Sequence, residues 1–208
     1  MKSFFTTLLV ATLSMLASFA QPLTGIKTIP GDYATLREAI AALNTNGTAA
    51  PGVTYTVAAD YTEIYSISSW GQLIINTTTA NSLAPILFQR GLGGTANPKI
   101  KFQGGNNSTA LDGGIILAGT DYITFDGIDV EATDNTIEWG FALLKRNNTA
   151  PFNGCQHITI KNCQISLSRT NTNLSYGIYS GNHLASSSNA LTITSSVIIK
   201  LRMPEQIK

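Results

Sequence analysis

From Val53 onward, apolar runs of a few residues alternate with polar breaks: "VTYTV", "QLIIN", "APILFQ", "PKIKFQ", "GIILAG", "YITFDGIDV", "FALLKR", "HITIKNCQISL", "YGIYS" and "ALTIT". The breaks carry Gly, Asn, Pro, Ser and Thr, the residues that turns demand. Several runs alternate strictly, with Ile100 and Phe102, Ile123 and Phe125, Ile158 and Ile160, and Leu191 and Ile193 each two apart. A period of two sends one face inward and the other outward, which predicts strands. Ahead of them, "DYATLREAIAALNTNG" predicts a helix. Thr35 and Glu38 stand at the spacing of a capping box, and Leu36, Ala39, Ile40 and Leu43 form one apolar stripe. Gly47 is placed to take a left-handed conformation just past the end. A helix this short is marginal alone in water, so its stripe must pack on something.

One pattern is written twice. "GTDYITFDGIDVEA" (Gly119–Ala132) returns as "GCQHITIKNCQISLSR" (Gly154–Arg169), setting Ile123-Thr124-Phe125-Asp126-Gly127 over Ile158-Thr159-Ile160-Lys161-Asn162. Gly127 and Asn162 are the two residue types that most readily accept φ > 0. A strand, a left-handed corner and a second short strand are what carry a chain around a parallel β-helix. A loop must protrude between the copies, and "ATDNTIEWG" or "NNTAPFNG" would serve. The rival is an antiparallel sandwich or jelly roll, whose hairpins favour Asn-Gly or Asp-Gly turns. Asn46-Gly47 falls at the helix end, and a hairpin at Asp126-Gly127 would have very short arms. The β-helix is the stronger expectation.

Composition narrows the setting. The 208 residues suffice for one domain with a substantial core, and the charged content of 12% is about half the usual 25%. A net charge of +1 without a basic cluster argues against nucleic acid, which needs several cations on one face. The start, "MKSFFTTLLVATLSMLASFAQP", reads as an export signal: Lys2, an apolar stretch from Phe4 to Leu16, and Ser18-Phe19-Ala20 before a cut at Gln21. That stretch is shorter than the roughly 20 residues of a spanning helix, so no membrane span is expected after cleavage. Export favours disulfides, but Cys155 and Cys163 lie eight strand residues apart. At about 3.3 Å per residue their Cα atoms stand roughly 26 Å apart, against a limit of about 7 Å. Two unpaired thiols are expected, with Cys163 packed inward after a turn.

"DYATLREAIAALNTNG", "VTYTVAADYTE", "PILFQRGLGGTANPKI", "DGGIILAGTDYITFDGIDV", "EWGFALLK", "ITIKNCQISLSR" and "GIYSGNH" together carry a resemblance. From about Ile29 to Ser196 the chain resembles the N-terminal part of large secreted right-handed β-helix proteins. Those proteins are similar to the pectin-lyase-like superfamily and are typical of Bacteroidetes that export through the type IX system. The resemblance implies an all-β, right-handed parallel β-helix with an N-terminal capping helix. It also implies a secreted or cell-surface protein. The expected organisation is a signal peptide over 1–20, an N-terminal strand and capping helix over 21–52, β-helix coils over 53–196 and an atypical tail over 197–208. Thr170 to Ser196 has no charged residue, whereas "VIIKLRMPEQIK" holds Lys200, Arg202, Glu205 and Lys208 and no Asn, Gly, Ser or Thr. A shifted reading frame or an interrupted gene fits that change. The tail is then expected to lie loosely on the surface, leaving a terminal coil exposed for self-association.

Candidate chemistry is sparse. Asp129 and Glu131, two apart on one strand, point to the same side with Asp126 nearby, an arrangement that admits Ca²⁺; the bland reading is turn and solvated carboxylates. The resemblance implies carboxylates on an outer face for Ca²⁺ or acid/base work, and a base among Lys145, Arg146 and Arg169. His157 and His183 read as surface or turn residues and match no catalytic motif or zinc site. Trp70 and Trp139 are candidates for stacking on a sugar, if their rings are exposed. Two function classes follow. The first is a non-catalytic secreted module, adhesive, structural or glycan-binding, and a fragment of something larger. The alternative is a lyase or glycoside hydrolase acting on an acidic polysaccharide.

Overall fold

The computed structural model describes residues 21–67, 71–104, 113–171, 175–184 and 199–202. The stretch read as an export signal, Trp70 and the "ALTIT" run lie outside the described residues. In chain order the elements are β1 (Leu23–Ile29), α1 (Leu36–Asn46), β2 (Thr48–Val57), β3 (Thr62–Ile67), β4 (Gly71–Ile75), β5 (Ile86–Arg90), β6 (Lys99–Gly104) and β7 (Gly113–Ala118). There follow β8 (Ile123–Asp126), β9 (Asp129–Ala132), β10 (Trp139–Lys145), β11 (Ile158–Lys161), β12 (Ile165–Ser166), β13 (Tyr176–Leu184) and β14 (Ile199–Arg202).

The strands form three sheets. Sheet A runs β1-β2-β5-β8-β11-β14, sheet B runs β3-β6-β9-β12, and sheet C runs β4-β7-β10-β13. Every pairing within these sheets is parallel. From β2 onward the chain visits A, B and C in rotation, so a strand's neighbours lie about one full rotation away in sequence. The fold is therefore mostly β with parallel sheets, and the antiparallel hairpin topology does not occur among the described strands.

The short crossing from sheet A to sheet B turns where the sequence says it should. Gly127 has φ 70° and Asn162 has φ 56°, both left-handed. Each corner is stitched to the next: Gly127 N–H donates to the Lys161 carbonyl at 3.0 Å, and Ile128 N–H donates to Cys163 Sγ at 3.3 Å. Both cysteines are free, and Cys163 packs against the main core.

The core lies between the three sheets. In-register interior positions place Tyr55, Phe88 and Phe125 on successive strands of sheet A. Their rings stack at 4.7 Å and 5.1 Å, adding about 0.5–1.5 kcal/mol per pair beyond area burial. Across from them, Gly114 and Gly140 sit in one column of sheet C. A Cβ on Gly114 would meet Phe102 Cε2 at 2.6 Å, and one on Gly140 would meet Ile165 Cγ2 at 2.4 Å. These glycines leave room for side chains reaching over from sheet B.

Helix α1 touches the first strand of every sheet. Leu36, Ala39, Ile40 and Leu43 are buried, as the stripe predicts. Thr35 caps Glu38 N–H at 3.1 Å, whereas the Glu38 carboxylate accepts from Ala34 N–H at 3.0 Å rather than from the cap residue itself. Asn44 holds the other end, donating to the Ile74 carbonyl at 2.7 Å and accepting from Asn76 N–H at 2.9 Å.

β3 breaks the alternation rule, because Glu63 and Tyr65 occupy its interior positions. Glu63, 8% exposed, accepts from Leu36 N–H at 3.0 Å and Tyr61 O–H at 3.1 Å. Tyr65 O–H donates to its other oxygen. This carboxylate satisfies an orphan donor at the start of α1 and favours the helix dipole. Burial pushes its carboxyl up despite those bonds.

Of the tail, only Ile199–Arg202 is among the described residues. Ile199–Arg202 does not lie loose but forms β14, with Ile199 and Leu201 in register with the interior positions Ile158 and Ile160. His183, expected in a turn, falls within β13.

Candidate functional site

The acidic residues singled out from sequence are brought near one another but are separately engaged. Asp129 Oδ1 accepts from Asn97 Nδ2 at 2.8 Å and from Gln164 N–H at 2.8 Å. Glu131 is bridged by Lys99 at 3.0 Å and Lys101 at 3.3 Å. The hydrogen bond from Lys99 leads in holding its carboxyl below the usual range. Asp126 meets Lys161 at 2.9 Å and Asn162 Nδ2 at 2.7 Å. Burial pushes Asp126 up, but Lys161 and Asn162 outweigh it and its carboxyl is lowered. Among the described residues no group of three or more His, Cys, Asp or Glu side chains is placed to hold a metal. The three ion pairs run between neighbouring strands of one sheet, so these charges tie one passage of the chain to the next.

Trp139 is not a solvent-facing platform. It is 1% exposed, and its ring lies parallel to Tyr179 at 4.4 Å and 3°. With Ile116, Ala142 and Leu144 it forms a second buried cluster on the outward side of sheet C. His157 is exposed and stacks on Tyr122 at 4.2 Å. Both occupy the left-handed region, at φ 55° and 50°, directly before corresponding strands. Asp121 accepts from Gln156 N–H at 2.7 Å, and burial pushes its carboxyl up.

A cleft of about 430 Å³ opens at the end of sheet B, lined by Ala132, Thr133, Asp134, Asn135, Ser166, Leu167, Ser168 and Thr170. Its wall is a built turn: Asp134 Oδ1 accepts from Thr136 N–H at 3.2 Å and Thr136 Oγ1 at 2.7 Å, and Gly104 N–H donates to Oδ2. Ser168 Oγ and Thr170 Oγ1 lie 3.0 Å apart on the facing side. Leu167, packed against the core, and Ala132 give the cleft an apolar part beside its hydroxyl and amide groups.

No family model, curated protein or solved structure matches the chain.

Chemically, the cleft offers hydrogen bonds of both senses and a single carboxylate whose oxygens are already engaged. That arrangement suits recognition of hydroxyl groups better than proton transfer, which needs a group free to change protonation in contact with substrate. Sequence reasoning missed this cleft because its lining comes from two turns that topology alone brings together. The available signal was the Thr/Asp/Asn and Ser/Thr enrichment directly after β9 and β12.

Proposed function

We propose that the chain is a binding module of an exported right-handed parallel β-helix protein, pectin-lyase-like in form. In this reading it holds a neutral glycan in the cleft beside β9 and β12 without transforming it. The observation that carries the reading is the cleft itself, lined by hydroxyl and amide side chains together with Ala132 and Leu167. That pairing matches a sugar, whose hydroxyls need donors and acceptors and whose ring face needs apolar contact. The rotation through three parallel sheets and the left-handed corners at Gly127 and Asn162 support the β-helix. Engagement of Asp126, Asp129 and Glu131 by cations and amides favours binding over acid/base chemistry.

Titration calorimetry with neutral xylo-, manno- and cello-oligosaccharides tests the reading. Heat that disappears in the Asn135→Ala/Ser166→Ala double variant supports it. Release of unsaturated or reducing sugar from an acidic polysaccharide would favour the lyase or hydrolase reading instead. Export is tested separately: secreted material is expected to begin at Gln21, and an intact Met1 would exclude cleavage.

A further inference from the structure

The crossing from sheet A to sheet B is tight in later passages, residues 127–128 between β8 and β9 and residues 162–164 between β11 and β12. Between β5 and β6 it is a longer loop, "GLGGTANP" over residues 91–98, and it carries Leu92 at 103% exposure. The loop is tied down on both sides of that residue. Gly91 N–H donates to the Val57 carbonyl at 2.6 Å, and the Arg90 guanidinium donates to the Gly94 carbonyl at 3.0 Å. The Asp60 carboxylate accepts from Thr95 N–H at 3.0 Å and Ala96 N–H at 2.7 Å. Gly94 sits at φ 62°, where a Cβ would meet Asp60 Oδ2 at 2.3 Å. A fixed loop that gives an apolar side chain wholly to water gains nothing from it within the folded chain. We propose that the chain pairs with a second copy about a two-fold axis, the Leu92 of each copy entering the other's cleft beside β9 and β12.

Topology sets loop and cleft at opposite ends of one face. The strands of sheet B run parallel, so the loop before β6 stands at their N-terminal end. The cleft is lined by residues that end or follow β9 and β12, at their C-terminal end. A two-fold axis through the outward side of sheet B exchanges those ends, so one rotation makes both contacts at once and closes the pair. Ile64, 57% exposed in the middle of β3, adds apolar surface to the same side.

The chemistry of the two parts matches. Residues 91–98 carry no charge, and the cleft's one carboxylate, on Asp134, is already engaged. Ala132 and Leu167 offer apolar surface to the Leu92 side chain, and a cleft of about 430 Å³ has room for it. Asn135, Ser166 and Ser168 can serve the peptide groups of the loop tip. The face is small, four strands of at most six residues, so the pair is expected to be weak and concentration-dependent. The contact rests on the lining of the cleft and not on its holding a glycan.

Sedimentation velocity of the purified chain, without oligosaccharide, tests the pairing. The wild type is expected to pass from one chain to two, and no further, as its concentration rises. Leu92→Asp, at a position wholly in solvent, should fold normally and raise the dissociation constant about tenfold or more. Asn135→Trp, which fills the cleft from an exposed position, should do the same. A mixture of the two variants keeps one intact loop and one intact cleft, so it is expected to associate more tightly than either alone. A wild type that stays a single chain throughout would overturn the pairing, as would a Leu92→Asp variant that associates like wild type. A mixture no tighter than its components, or growth beyond two chains, overturns the two-fold arrangement as well.

Discussion

The outward sides of sheets A and C are built from strands of the same chain in the same parallel register, yet they are opposite surfaces. On sheet A the outward positions are Thr54 and Thr56, Leu87 and Gln89, Thr124 and Asp126, Thr159 and Lys161, all half-buried. On sheet C they include Ile116, Trp139, Ala142 and Leu144, all at 1% exposure or less. Strands with one wet face must alternate, whereas strands covered on both faces read as continuous apolar runs. "ITFD" and "ITIK" belong to the first kind, "GGIILA" and "WGFALLK" to the second. The periodicity of a strand thus reports how many of its faces are covered, in addition to reporting that it is a strand.

The contrast is broken most severely by Trp139→Ala, which removes the largest fully buried side chain among the described residues from the outward cluster of sheet C. A loss of about 3–5 kcal/mol is expected in urea unfolding, and a near-neutral result would mean that this face is not sealed. Next comes Gly140→Ala: the new methyl meets Ile165 Cγ2 and the Gly177 carbonyl, at 2.4 Å and 2.7 Å. Overpacking of this kind costs about 1–3 kcal/mol, measured as a shifted midpoint with unchanged slope.

On sheet A the effects are expected to be small. Asp126→Asn breaks the half-buried surface pair with Lys161 and should cost about 0.2–1 kcal/mol at neutral pH. Because the folded-state carboxyl of Asp126 lies below its unfolded value, its contribution is present above that unfolded value, about 3.9. It is lost as pH falls through the folded value. The difference between wild type and Asp126→Asn should therefore close on acidification, and a gap that persists at low pH would point to packing. Smallest of all is Thr159→Ala, expected to stay within about 0.5 kcal/mol; a larger loss would show that sheet A is covered too.

Much of this architecture is legible along the chain. The capping box, the apolar stripe of α1, the left-handed corners and the alternating strands of sheet A all follow from local rules. The unread elements are those where tertiary context overrode the local rule. β3 escapes notice because its interior position is filled by Glu63, which serves the start of α1 rather than the strand. β14 is obscured by Lys200 and Arg202, which draw the eye from Ile199 and Leu201. Trp139 reads as core or as platform, since its period cannot say what lies over sheet C. Lys145 is visible as a cation, but the ring it meets belongs to Phe152, seven positions further along in a loop.

The order of sheet A has a mechanical consequence. Its strands succeed one another in the order of the chain, from β1 to β14, so tension applied at the two ends acts across the inter-strand hydrogen bonds rather than along the strands. Loaded that way, the bonds of an edge strand give one at a time, where a sheared pair would resist together. Held at both ends, the molecule should lengthen by peeling from an edge at low force. At the β1 edge, the contact of α1 with β1, β3 and β4 makes the helix a clamp that must yield first.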